Sequence, residues 1–521
     1  MVLKNFAPII SQVFSMAIIS GKISRGFGDY FLIPGWTGKD AVYENVDLTT
    51  DLSEGVILRY PFIAAAMSCV VGYDMTLECA KNGLMAVVPS SFTIEEQYDI
   101  IRRVKEGEVK AGDIEFNEDP VMINDLKRKI GDAADLYEEY GHSNIPICDR
   151  FSTLRGIFRY EEGIPLEYLN VSLRDVLENK AGDSYLKRII KRFDIKKAKH
   201  EKDYFLVSDD VKDIHTAMKE KRIPVMPILN EKGILKKLAF IYKFHGYPVG
   251  GAIHTHKGWE RRAESLLEAG ADMIFIDSSD AKSDFQEEVI IKFKKKYGNV
   301  PLVAGNMVDA EGYRRLVNAG ADLVKVGMGS GGSCLTTENR GYGRGIATAL
   351  LDVSEERERG DRKVPIIADG GLGTRRIRIR FVGDKRLTDY EHDASSISKA
   401  LAITGVKAIM MGTGFNMFEE AAGGIFEHEG KRYKERWGEG SLKAMTLARY
   451  GVGEDVRRAH VEEGIYDYVS VAGRLKPGIE KTALNLKMNY SSAGAKNTKE
   501  FWEKATLELA SGAAQADAGI G

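Results

Sequence analysis

Eight short apolar runs, rich in Val, Ile and Ala, recur along the chain at 62–66, 84–88, 249–253, 273–277, 302–305, 323–327, 366–369 and 408–412. Most are followed by a charged segment with helical spacing of its apolar residues, so the pattern is an alternation of strand and helix. Strands of a parallel sheet are covered on both faces and therefore read as continuous apolar runs. Eight is the number that a closed (β/α)8 barrel of the TIM type requires, and an open doubly wound sheet has no such requirement. Two units share one junction, Ala269-Gly270-Ala271-Asp272 and Ala319-Gly320-Ala321-Asp322, in which a glycine stops the helix before the next strand. The expected fold class is α/β, a (β/α)8 TIM barrel.

About 160 residues separate the second run from the third, far more than barrel units use as a connection. An inserted domain is expected there, at 111–243, dividing the barrel into 1–110 and 244–521. Within it, a helical segment at 133–140 precedes the strand Ile145-Pro146-Ile147, and another at 214–221 precedes Val225-Met226-Pro227-Ile228, so the insert reads as a pair of small α/β units. The stretch 427–472, dense in Arg, Glu and Gly, reads as a mobile surface excursion, and the tail from Ser511 as frayed. The apolar segment 6–20 is interrupted by Ser11, Gln12 and Ser15, which favours a helix packed on the body over a signal peptide.

The chain has 521 residues, 44% hydrophobic and 29% charged, which suits a globular protein with more than one core. Lys plus Arg (74) nearly balances Asp plus Glu (76), so no global field recruits nucleic acid or an anionic membrane, and a small molecule is the expected partner. No run reaches the roughly 18 apolar residues of a membrane span. The four cysteines, Cys69, Cys79, Cys148 and Cys334, are too few and scattered for a disulfide framework, which points to a reducing, cytoplasmic location.

In such a barrel the active face is built at the carboxyl ends of the strands. The fourth run ends in Asp277-Ser278-Ser279, the fifth in Gly305-Asn306, the seventh in Asp369-Gly370-Gly371 and the eighth in Gly412-Thr413-Gly414. After the sixth comes the glycine-dense run Gly327-Met328-Gly329-Ser330-Gly331-Gly332-Ser333-Cys334-Leu335-Thr336-Thr337, which presents one thiol where backbone can approach a ligand closely. Glycine turns after the seventh and eighth strands suit a phosphate, and Asp369 beside them suits ribose hydroxyls, so the pocket reads as one for a nucleoside monophosphate.

These motifs, in this order, resemble the IMP dehydrogenase family. The resemblance extends to Asp29-Tyr30-Phe31-Leu32-Ile33-Pro34-Gly35, to Trp437-Gly438-Glu439-Gly440-Ser441 and to Gly494-Ala495-Lys496-Asn497, and so to nearly the whole chain. It implies that Cys334 attacks C2 of the hypoxanthine ring of IMP, that hydride passes to NAD to give NADH, and that the covalent thioimidate is hydrolysed to XMP. It places Asp277, Ser278, Ser279, Asn306, Gly327 and Gly329 around NAD. It places Ser333, Asp369, Gly370, Gly371, Gly412, Thr413, Arg436, Gly438, Glu439, Gly440 and Glu463 around the nucleotide. A mobile flap would supply Arg449 and Tyr450, which with Thr336 activate water. An arginine needs its surroundings to act as a base, since its intrinsic pKa is high. Carbonyls of Gly327, Gly329 and Cys334 would give half of a K+ site, completed by a neighbouring subunit of a homotetramer. The insert resembles tandem cystathionine-β-synthase (CBS) type domains, for which a purine nucleotide effector is expected.

The sequence departs from the family at several points. Gly332 stands two residues before the thiol where the family has Ser, Arg436 stands where a phosphate-contacting Tyr is usual, and Thr413 where Ser or Arg is common. Arg436 is expected to hold phosphate bidentately instead. The tail lacks the family's Glu-Gly-Gly segment, and the insert lacks its Thr-x-x-Asp. The rival readings are a GMP reductase, expected to lack both the large insert and the Arg-Tyr pair, a catalytically silent purine-binding regulator, and a flavin-dependent barrel enzyme.

Overall fold

The computed structural model describes residues 22–106, 114–117, 120–140, 144–159, 164–178, 183–192, 207, 210–221, 225–241, 247–278, 280–332, 335–441, 443–444 and 464–517. The helix expected at 6–20 lies outside them, as do both expected insert boundaries, 111 and 243. Four of the first barrel elements come early: β1 (Phe62–Ala64), α1 (Tyr73–Lys81), β2 (Met85–Val88) and α2 (Ile94–Glu106). After the insert the alternation resumes with β3 (Val249–Ile253), α3 (Trp259–Glu268), β4 (Met273–Ile276), α4 (Asp284–Lys296), β5 (Leu302–Met307), α5 (Ala310–Ala319), β6 (Leu323–Val326), α6 (Ile346–Arg359) and β7 (Ile366–Asp369). A hairpin of β8 (Gly373–Val382) and β9 (Lys385–Asp393) then precedes α7 (Ala394–Leu401), β10 (Val406–Met411) and, further on, α8 (Leu475–Ser492).

Strands β1 to β7 and β10 form one closed parallel barrel, β10 returning to β1 through Ile409↔Phe62 and Met411↔Ala64. All eight apolar runs are barrel strands. Successive side chains point to opposite faces of a strand, and the two faces join different cores. Ile63, Val87, Phe275, Val303, Ile367 and Met410 fill the barrel interior, whereas Phe62, Val88, Ile274, Val324, Ala368 and Ile409 pack outward against the helices. Leu52, Val56 and Leu58, from a hairpin of Thr50–Ser53 and Val56–Leu58, close the interior cluster, and the Thr50 hydroxyl donates to the Lys407 carbonyl near the start of β10. That hairpin plugs the amino-terminal end and leaves the opposite mouth for chemistry. Helix α8 touches both α7 and α1, which completes the outer ring.

The inserted segment contains two antiparallel three-stranded sheets. One joins Asn144–Cys148, Leu154–Arg159 and Ile190–Arg192; the other joins Val225–Leu229, Leu235–Ile241 and Ile114–Asn117. A helix, Ile130–Tyr140 or Val211–Lys221, precedes the first strand of each pair, the order expected from sequence. The two units share the cluster of Cys148, Leu154 and Ile157 with Leu229, Leu235 and Leu238.

Within the stretch 427–472, the described residues 427–441 and 464–472 differ from the expected surface excursion, while 442 and 445–463 lie outside the described residues. Strands β11 (Ile425–His428), β12 (Lys431–Trp437) and β13 (Tyr466–Ser470) join the β8–β9 hairpin in a five-stranded sheet of order β8-β9-β13-β12-β11. Tyr433, Lys434, Arg436 and Trp437 of β12 are buried, two of them charged, so high charge there does not mean a loose surface segment. The tail from Ser511 includes a short helix, Gly512–Asp517.

Candidate active site

The carboxyl ends of β5, β6 and β7 are tied into one polar web. Asn306 Nδ2 donates to the Gly327 carbonyl at 2.7 Å and to Asp369 Oδ2 at 2.8 Å. Lys325 Nζ donates to the same Asp369 oxygen at 3.0 Å, with the Lys325 side chain 8% exposed. A lysine buried in a parallel strand needs a counter-charge, and the carboxylate at the end of β7 supplies it. Gly327 sits at φ +138°, and a Cβ there would lie 1.8 Å from the Asp369 carbonyl oxygen, so only glycine fits this crossing of β6 and β7. The structure thus brings together Asn306 and Asp369, which sequence placed separately. Lys325 was missed; its signal was a single charge inside the run Asp322-Leu323-Val324-Lys325-Val326.

Asp277 follows β4 and is half-buried, its Oδ2 accepting from the Ser90 hydroxyl at 3.2 Å and its own N–H donating to the Ile253 carbonyl at 2.7 Å. Ser278 turns its hydroxyl onto the Asp280 carbonyl at 2.8 Å, and its carbonyl accepts the Asn306 N–H at 3.1 Å. Asp277 with the Ser90 hydroxyl beside it is a donor and acceptor pair that fits ribose hydroxyls. His254, at the end of β3, was also missed by sequence; burial, then the charges of Arg262 and His256, push its pKa down to about 4.

A second polar group lies where the five-stranded sheet meets β10. Arg436 Nε and Nη2 donate to the two carboxylate oxygens of Asp467 at 2.8 and 2.7 Å, both side chains fully buried. Burial opposes the Arg436 charge, but Asp467 more than offsets it and holds the guanidinium above its usual pKa. The third nitrogen, Nη1, donates to Thr413 Oγ1 at 2.8 Å and to the Tyr390 hydroxyl at 3.2 Å. The bidentate fork that sequence assigned to phosphate is therefore bidentate to Asp467, and among the described residues its remaining nitrogen donates to Thr413 and Tyr390. Thr388 adds a hydroxyl to Asp467 Oδ2 at 3.1 Å.

Glu439 Oε1 accepts from the Ser68 N–H at 2.6 Å and the Ser68 hydroxyl at 2.8 Å, and Trp437 Nε1 donates to that hydroxyl at 2.9 Å. These contacts bring the Trp437-Gly438-Glu439-Gly440 turn against the loop after β1, with the Gly438 N–H on the Ile465 carbonyl at 3.0 Å. Gly412 and Thr413 begin a short turn of helix, Thr413–Asn416. Gly370 accepts the Ser330 hydroxyl at 3.2 Å, and Gly371 sits beside the Ser330 carbonyl. Thr336 is buried at the start of the short helix Thr336–Arg340. Ser279, Ser333, Cys334, Arg449, Tyr450 and Glu463 lie outside the described residues.

Cys69, Cys79 and Cys148 are all buried, and burial raises each thiol pKa, to about 12 for Cys69 and for Cys148. A thiol so raised is a poor nucleophile. The two described carbonyls expected to hold K+ already accept side-chain hydrogen bonds, Gly327 from Asn306 and Gly329 from Thr337 at 3.1 Å. Each keeps one lone pair, and the third expected carbonyl, of Cys334, lies outside the described residues. No helix among the described residues is long and apolar enough to cross a membrane.

The chain matches the model of the IMP dehydrogenase / GMP reductase domain over residues 24–520. It is 30% identical over 495 residues to an inosine-5'-monophosphate dehydrogenase of Pasteurella multocida (strain Pm70), covering 94% of this chain and 93% of the relative. It is 29% identical over 517 residues to the enzyme of that name from Tritrichomonas foetus, covering 93% of each. Among solved structures, a GMP reductase from Trypanosoma brucei in complex with guanosine 5'-monophosphate superposes with a TM-score of 0.62 at 23% identity, covering 96% of this chain and 98% of that one. That overlap corrects one expectation: this GMP reductase does not lack the large insert, since its chain covers this fold almost end to end.

Proposed function

This chain belongs to the IMP dehydrogenase / GMP reductase family as an oxidoreductase of that fold, and within the family we propose that it is an IMP dehydrogenase, oxidising IMP to XMP with NAD in guanine nucleotide biosynthesis. The observation that carries the proposal is the match of more than nine-tenths of the chain to relatives of that name. The strand-end geometry supports it.

Cys334 is the nucleophile of this reading, as the family resemblance implies, and the described cysteines, all buried with raised thiol pKa, do not compete for the role. Its sulfur bonds to C2 of the hypoxanthine ring, and the hydride from C2 passes to NAD. Asp277 and Ser90 receive the ribose of NAD, and Asn306, fixed on Gly327 and Asp369, borders the reacting carbon. Asp369 takes the nucleotide ribose while Lys325 Nζ donates to its carboxylate and holds it in place. Gly370, Gly371, Gly412 and Thr413 surround the phosphate. Arg449 and Tyr450, with Thr336, activate the water that releases XMP. The insert is read as a CBS-type pair that senses a purine nucleotide, and the active form as a homotetramer.

A GMP reductase is the second reading, favoured by the end-to-end match to the reductase structure. Purified protein with IMP, NAD and K+ should form NADH and XMP, while GMP with NADPH in a parallel reaction should not consume NADPH. Cys334→Ala should abolish NADH formation yet still bind IMP. Consumption of NADPH with GMP, or normal NADH output from Cys334→Ala, would overturn the assignment or the nucleophile respectively.

A further inference from the structure

The β8–β9 hairpin stands between β7 and the helix that follows it, and it delivers one side chain to the mouth of the barrel. Tyr390, near the end of β9, is half-buried, and its backbone is held to β13: the Tyr390 N–H donates to Ser470 Oγ at 3.1 Å. Its ring lies 5.0 Å from the Arg436 guanidinium carbon, and its hydroxyl oxygen accepts from Arg436 Nη1 at 3.2 Å. A tyrosine hydroxyl has one proton to donate. Among the described residues that proton has no acceptor, while the bond from a guanidinium polarises it and makes it a stronger donor.

The hydroxyl faces the glycine loop after β6. A Cβ placed on Gly332 would lie 3.0 Å from the Tyr390 oxygen and 3.6 Å from Arg436 Nη1, so the absence of a side chain at 332 leaves room for the Tyr390 hydroxyl. The same loop touches the turn after β7 through the Ser330 hydroxyl on the Gly370 carbonyl at 3.2 Å, and Arg436 Nη1 also holds the Thr413 hydroxyl after β10. Two hydroxyls, both oriented by one buried guanidinium whose charge Asp467 balances, thus converge between the ends of β6, β7 and β10. Neutral donors pre-set in this way suit a phosphate.

Resting on the proposed function, we propose that Tyr390 binds the phosphate of the nucleotide directly through its hydroxyl, and that Arg436 is a positioning residue that aims Tyr390 and Thr413. The hairpin then carries a specificity-determining residue for the 5'-phosphate.

The test compares Tyr390→Phe with the unmodified chain, using IMP as substrate and inosine, which lacks the phosphate, as competitor. The variant should raise KM for IMP roughly tenfold or more, the loss expected for one hydrogen bond to a charged group. Turnover should stay within about twofold, and inhibition by inosine should be unchanged. Gly332→Ser in the Tyr390→Phe chain returns a hydroxyl to the same space and should recover most of the lost IMP affinity. Equal weakening of IMP and inosine, unchanged KM for IMP, or no recovery by Gly332→Ser would each overturn the proposal. An unmodified chain that neither binds nor oxidises IMP would instead remove the functional reading beneath it.

Discussion

His254 leaves β3 at the mouth of the barrel with Nδ1 buried and without a hydrogen-bond partner among the described residues. Burial, Arg262 and His256 hold its pKa near 4 in the folded chain, against 6.5 for the free side chain, with the His256 backbone and then Asp277 pulling the other way. Between those values the unfolded chain takes up a proton that the folded chain refuses, so stability falls as pH drops. The contribution is complete above about 6.5 and is lost progressively toward about 4. Urea unfolding of His254→Asn across that window should show a shallower loss of stability than the parent chain. Parallel pH profiles would mean that His254 is not the group responsible. Asp277, Asn306 and Asp369 could be placed from sequence, because a polar residue closing an apolar run marks a strand end whatever the tertiary packing. Lys325, Ser68 and Asp467 could not. Each matters through a partner distant in sequence, respectively Asp369, Glu439 and Arg436, and no local pattern encodes that pairing.

The element that sequence missed altogether is the β8–β9 hairpin, although its signal was present. Arg376, Arg378 and Arg380 alternate with Ile377, Ile379 and Phe381, and Gly383-Asp384 makes a two-residue turn with Gly383 at φ +59°. The span between the seventh and eighth runs lies where the barrel pattern itself needs only a helix. The hairpin and the three later strands share a small core of their own, Leu387 with Tyr433 and Tyr468, separate from the barrel clusters. Leu387→Ala should therefore cost about 2–3 kcal/mol locally, at the lower end for a buried leucine. Hydrogen exchange should quicken in β8, β9 and β13 while the barrel strands keep their protection. KM for IMP should rise as well, since Tyr390 is carried on β9. Uniformly faster exchange across the barrel would show that the sheet and barrel unfold as one unit.

At the scale of the whole molecule the barrel closes without help from the insert. Strands β2 and β3, which flank the long interruption, pair directly through Val249↔Ala86, Gly250↔Val87 and Gly251↔Val88. The cores of the inserted segment, around Phe158 and Ile189 in one unit and Ile214 and Ile228 in the other, share no residue with the two barrel cores. A domain with its own core can be removed without exposing another's, provided that the cut ends are bridged. Replacing 111–243 with a short Gly/Ser linker should leave a barrel that unfolds cooperatively and oxidises IMP within about threefold of the parent rate, while any response to added ATP or GTP disappears. Loss of folding would show that the insert braces the barrel, and a retained nucleotide response would place the effector site on the barrel. The excised barrel should keep the parent's choice of substrate unchanged, and a switch from IMP with NAD to GMP with NADPH would place that choice in the insert.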